Sequence, residues 1–127
     1  MTIERLETYR GLKAERDAII QQINELSKPV NAINQSQSPK QRSNSVSNPT
    51  ERIALKIIEL EEKAMRIEHE MNQIEAWIDE IENGELRAII RWHYINGYNW
   101  NMTNIKVLGY SSYDTSRKKV ERYFNEK

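Results

Sequence analysis

The sequence predicts an all-α protein. A long heptad-patterned helix packs with an N-terminal helix as a helical hairpin or coiled coil, and a C-terminal unit of three short helices follows, laid out as a helix-turn-helix. Three observations predict this. Apolar residues from Ile53 to Ile81 recur at spacings of four and three, the period of a helix seam. A second apolar stripe precedes it, with Leu12, Ile19 and Leu26 seven apart and Tyr9 and Ile23 between them. Residues 85–127 then hold two of the three tryptophans and five of the six tyrosines, around turns carrying Gly97 and Gly109.

The first segment, residues 1–26, reads as a helix from about residue 3, built from straight-chain helix formers with Gly11 its only glycine. Pro29 is expected to stop it, because proline donates no N–H and disfavours helical geometry at the preceding Lys28. Residues 27–47, SKPVNAINQSQSPKQRSNSVS, read as a flexible polar linker, with too few apolar anchors to offset the ordering entropy. As a coil, about 21 residues span roughly 25 Å.

Residues 48–83 open with the strongest local signal. Asn48 stands as an N-cap, Pro49 at the first helical position and Glu51 three residues after the cap. The seam that follows is Ile53, Ile57, Leu60, Ala64, Ile67, Met71, Ile74, Ile78 and Ile81, on a helix of about 35 residues and roughly 50 Å. Asn83-Gly84 is expected to end it, with Gly84 as a left-handed cap. The first helix is too short to cover the whole seam. Ile53, Ile57, Leu60, Ile67, Met71, Ile74, Ile78 and Ile81 are therefore expected to form an oligomerisation seam as well. A parallel pairing sets Glu70 near Glu75 of the partner helix, so an antiparallel arrangement is expected.

The formal net charge is zero, yet its distribution is uneven. Residues 1–50 carry seven basic and five acidic groups, a net of +2; residues 51–83 carry four and ten, a net of −6; residues 84–127 carry eight and four, a net of +4. The basic tail is the segment suited to an anionic partner. With 38% apolar and 30% charged residues, narrow helix seams are favoured over a thick core. The absence of cysteine excludes a disulfide framework, a thiolate zinc site and a cysteine nucleophile. Two histidines, His69 and His93, have no second ligand at helical spacing, so no metal is expected. The carboxylates of the heptad helix read as a solvated face, and no P-loop or nucleophile elbow is present. The expectation is a protein without catalytic residues, cofactor or small-molecule substrate. No apolar run approaches the ~20 residues needed to cross a bilayer, and Thr2-Ile3-Glu4-Arg5 does not open like a signal peptide, so a cytoplasmic location is expected.

Residues 84–127 divide into three short helices. The first is Glu85 to Ile95, closed by Asn96-Gly97; the second runs from about Asn101 to Leu108, ended by Gly109; the third runs from a cap near Ser112 to Asn125. The run from Arg87 and Arg91-Trp92-His93-Tyr94-Ile95-Asn96-Gly97-Tyr98-Asn99-Trp100 to Leu108-Gly109-Tyr110-Ser111 resembles region 4 of sigma-70-type factors. There an "R-x-Y-x-x-G-x-S-W" run precedes a helix ending in "L-G-Y-S". The layout of the whole chain is similar to small phage and prophage transcriptional regulators of Gram-positive bacteria, of the ArpU and RinA kind. The motif covers about 40 residues. Trp100 lies nine residues before Gly109 where the family has eight, the larger Ile105 or Lys106 replaces a small residue in the second helix, and Ser111-Ser112 adds a residue in the turn.

The resemblance implies a DNA-binding regulator of phage late genes in a bacterial host cell, with double-stranded DNA as partner, RNA polymerase as a further candidate partner, and homo-oligomerisation through the heptad helix. On the third helix the period puts Ser116, Val120 and Tyr123 or Phe124 inward and Tyr113, Arg117, Lys118, Glu121 and Arg122 outward. Arginine reads guanine in a bidentate manner and lysine reaches phosphate. Arg87, Arg91, Lys106 and Lys119 are the candidate phosphate neutralisers. The bland alternative is that these cations only solvate a C-terminus and complement a helix dipole. Trp92, Tyr94 and Trp100 are expected in the core of the small unit, with His93 beside them at a surface or an interface. Two other readings stay open: a module that binds a host protein such as RNA polymerase or a defence protein through the acidic helix, and a phage DNA-packaging subunit.

Overall fold

A computed structural model describes residues 1–36, 49–110 and 114–126. Its elements are α1 (Ile3–Ser36), α2 (Pro49–Asp79), α3 (Gly84–Ile90) running into a π-helical turn (Arg91–Ile95), α4 (Trp100–Leu108) and α5 (Thr115–Asn125). The described residues contain no strand. Among them no helix is long and apolar enough to cross a membrane. The chain divides into two compact units, Ala14–Glu68 and a second formed by Met1–Lys13 with His69–Lys127.

α1 starts where Thr2 Oγ1 accepts the backbone N–H of Arg5 at 3.1 Å, a side-chain cap for one of the orphan donors of the first turn. It does not stop before Pro29, as the sequence suggests, but runs to Ser36. Proline removes only one bond of the helical ladder, at a cost of about 3 kcal/mol, and the turns on either side continue through it. The predicted linker is shortened accordingly, and its remainder, 37–48, lies outside the described residues together with the Asn48 cap.

In the unit Ala14–Glu68, α1 packs against α2. Ile19 of α1 and Leu60, Ala64 and Ile67 of α2 are buried, while Ile53 and Ile57 are half-buried. The other unit continues the same seam: Leu6 and Tyr9 of α1 are buried, as are Met71, Ile74, Ile78 and Ile81. Arg5 donates to Gln73 Oε1 at 2.9 Å and the Tyr9 hydroxyl to Glu75 Oε2 at 3.0 Å. Of the seam residues, Leu60, Ala64, Ile67, Met71, Ile74, Ile78 and Ile81 are thus buried within one chain. In the second unit it is the first turns of α1, through Leu6 and Tyr9, that are buried together with Met71, Ile74, Ile78 and Ile81.

α2 ends at Asp79, three residues earlier than predicted. Gly84 is not its left-handed cap but the first residue of α3, where the side chain of Asn83 accepts the Leu86 N–H at 3.1 Å. An Asx N-cap for the next helix wins over a C-cap for the last. Within the tail, α3, α4 and α5 pack on one another. Leu86, Ile89, Ile90, Tyr94 and Val120 are buried, and Trp77 of α2 stacks on Phe124 at 5.6 Å and meets Tyr123 edge-on at 6.2 Å.

Candidate nucleic-acid interface

α4 begins with Asn99, whose side chain accepts the Met102 N–H at 2.8 Å, and ends at Gly109 with φ of 83°. That left-handed residue is the stop predicted from sequence, since glycine adopts it without a Cβ penalty. The connection then leads to Asp114, which occupies the cap position of α5 without a side-chain cap bond. The expected cap, Ser112, and the candidate Tyr113 lie outside the described residues.

What orients α5 is a buried polar contact that sequence reasoning missed. Asn104 is fully buried in α4, and its Oδ1 accepts the backbone N–H of Ser116 at 3.1 Å. One of the orphan donors in the first turn of α5 is therefore satisfied across the helix pair. A signal was available: Trp100, Asn104 and Leu108 fall four apart, so Asn104 sits on the inner face of its helix. Thr103 is also fully buried, and its hydroxyl donates to the Tyr98 carbonyl at 3.4 Å. The Ser116 hydroxyl is buried without a partner among the described residues. The predicted inward stripe of α5 is observed, with Ser116 and Val120 buried and Tyr123 and Phe124 half-buried.

The outward face is less uniformly available than the sequence suggests. Arg117 pairs with Asp114 at 3.1 Å and approaches Glu121 at 4.0 Å, so Glu121 belongs to an ion pair on its own helix. Lys118 is exposed and has no ion pair among the described residues. Arg122, also exposed, borders an open groove of about 650 Å³ shared with Lys119 and the carboxylates Glu80, Glu82, Glu85 and Glu126. Lys119 is ion-paired with Glu85.

Each candidate phosphate neutraliser has a partner within the chain. Arg87 donates to the carbonyls of Ile81 and Glu82 and holds the turn between α2 and α3. Arg91 pairs with Asp79. The Lys106 ammonium lies 5.2 Å from the Trp92 ring centroid and 5.8 Å from that of Tyr98, within cation–π range. Arg87, Arg91 and Lys119 thus link segments of the tail unit, the last two through exposed ion pairs of the kind worth about 0–1 kcal/mol. Lys118 and Arg122 remain, flanked by Arg117.

Behind this face lies an aromatic cluster. His93 stacks on Trp100 at 3.6 Å with planes 15° apart, and Tyr94 meets both rings edge-on. His93 Nδ1 donates to the Tyr98 carbonyl at 2.7 Å. Its burial lowers the imidazole pKa below the ordinary 6.5, opposed by that hydrogen bond and by Glu7. His93 is therefore half-buried in the cluster. Trp92 and Trp100 are half-buried too, and Tyr94 is buried. No arrangement of three or more His, Asp or Glu side chains suited to a metal ion occurs among the described residues. The chain matches no protein-family model, no curated protein and no solved structure.

Proposed function

We propose that this chain is a DNA-binding transcriptional regulator of the small phage type, in which α4 and α5 act as a helix-turn-helix and α5 enters the major groove. The observation that carries the reading is the division of α5 into two faces. Ser116, Val120 and Phe124 face the core under the hold of Asn104, while Arg117, Lys118 and Arg122 face outward. A helix fixed on one side and cationic on the other suits groove entry, and the tail's net charge of +4 supports it.

The test is titration of promoter-sized duplexes at several salt concentrations with wild type, Lys118→Ala and Arg122→Ala. Loss of a phosphate contact lowers the slope of log affinity against log salt by about one. Loss of a base contact costs about 1–3 kcal/mol on one sequence only. Binding by both variants indistinguishable from wild type at every salt concentration removes α5 as a reader of DNA.

A second reading has its own support. On α2, Leu55, Ile58 and Met65 are exposed at 57, 50 and 68% and lie on the side of the helix away from the seam, among the acidic residues of that segment. An acidic helix with an apolar outer stripe suits a protein partner. Leu55→Ser with Met65→Ser leaves duplex binding unchanged and abolishes partner binding on this reading. Oligomerisation on this second reading uses the outer stripe of Leu55, Ile58 and Met65.

A further inference from the structure

Outside α1, the exposed large apolar side chains among the described residues fall in two groups. Leu55, Ile58 and Met65 form the outer stripe of α2, in the unit Ala14–Glu68. Tyr98, Ile105 and Tyr110 lie on and beside α4, in the other unit. The two groups carry opposite charge. In the stripe, the exposed Glu62 stands between Ile58 and Met65, at the spacings of four and three that keep residues on one helix face. On α4, the exposed Lys106 follows Ile105, with its ammonium against the Trp92 and Tyr98 rings. The exposed Arg10 guanidinium rests on Gly97, next to Tyr98. Neither cation has an ion pair among the described residues. Lys106 lies two residues beyond Asn104, about 200° around the helix, so this face is turned away from α5, which Asn104 holds.

The stripe is a poor match for itself. In a parallel pairing Glu62 meets Glu62 of the second copy. In an antiparallel pairing with Leu55 opposite Met65, Glu59 and Glu61 meet the same two residues of the second copy. With Leu55 opposite Ile58 instead, Glu62 meets Glu51. Like charges set against each other across an interface cost affinity and reject that partner. The α4 face removes the conflict, because its apolar side chains are flanked by cations.

We propose that these two faces meet between copies of this chain: the α2 stripe of one copy docks on the α4 face of the next, with Glu62 directed to Lys106. This contact rests on the reading of the outer stripe as a partner surface, and the partner is a second copy. A contact between unlike faces leaves one face free at each end. Copies therefore add head to tail, into a ring where the rotation closes and into an open chain where it does not. Lys118 and Arg122 of α5 belong to neither face and stay available to a duplex.

The experiment is light scattering on the full chain over a range of concentrations. Wild type is compared with a stripe variant, Leu55→Ser with Met65→Ser, and a face variant, Ile105→Ser with Lys106→Glu. All four positions are exposed, so unchanged circular dichroism spectra are expected. Wild type is expected to grow in mass beyond a dimer as concentration rises, and each variant alone to stay monomeric. Mixed in equal amounts, the two variants are expected to form dimers and nothing larger, since the mixture holds one intact stripe and one intact face per pair. Glu62→Lys and Lys106→Glu are each expected to weaken assembly alone and to restore it when combined in one chain, which separates a lost contact from a lost fold. A monomeric wild type, or a mixture that stays monomeric, overturns the proposal. A face variant that assembles like wild type while the stripe variant does not overturns it too, and leaves the stripe standing as a partner surface. A stripe variant that assembles like wild type overturns both.

Discussion

A Cβ at position 97 would fall 1.1 Å from Nη1 of Arg10, and the backbone there has φ of 82°. Asn96-Gly97 already announces the positive φ in the sequence; the guanidinium that rests on the glycine belongs to a residue 87 positions earlier and leaves no local trace. Asn104 is the complementary case, a buried amide holding the start of another helix. Asn104→Ala leaves the Ser116 N–H without its acceptor and is expected to lower stability by about 1–3 kcal/mol, read as a fall in the melting temperature. For His93 the sign follows from burial. Its folded-state pKa lies below the ordinary 6.5, so the unfolded chain binds the proton more readily. The neutral-ring contribution is present above 6.5 and is lost as pH falls through 6.5 toward the folded value. Melting temperatures at pH 7.5 and 5.5 are expected to differ more for wild type than for His93→Phe, which keeps a ring on Trp100 and cannot titrate. Equal differences would remove His93 from the pH response.

Among the elements, the three tail helices were the most legible. Their ends are written in local chemistry, in Asn96-Gly97 and in Leu108-Gly109, and α4 and α5 lie close to the predicted spans. Periodicity also identified the buried face of α2 from Leu60 to Ile81. What it could not reveal was the partner of that face, because a 4-3 repeat looks the same whether a second chain or the rest of its own chain covers it. The end of α1 was misjudged for a related reason: proline's local penalty is visible in the sequence, whereas the rest of the helix that outweighs it is not. Ile74→Ala tests the seam as an internal element. Ile74 is 1% exposed, so its truncation is expected to cost about 2–5 kcal/mol while the mass by light scattering stays as in wild type. A change in mass would return the seam to the oligomer reading. The candidate site was legible in its stripe of Ser116, Val120 and Phe124. It was illegible in its charges, because ion pairs such as Arg91–Asp79 and Lys119–Glu85 join residues 12 and 34 positions apart, a pairing that no helical period encodes.

For the whole molecule, the unit that carries the tail also needs the beginning of the chain. Leu6 and Tyr9 are buried in it. Removing residues 1–9 is therefore expected to destabilise the tail rather than α2's N-terminal half. Hydrogen exchange should quicken in α3 to α5, with amides of residues 55–66 much less affected. The reverse order would mean that α1 serves only the unit Ala14–Glu68. The same arrangement bears on how the chain is made. Met1–Lys13 is synthesised before its companions His69–Lys127, so this unit closes only after synthesis has passed the segment between them. Its contacts are among the most distant in sequence that a chain of this length allows, which slows folding and lengthens the time that Leu6 and Tyr9 stay wet. Meanwhile residues 1–13 are open to capture by chaperones.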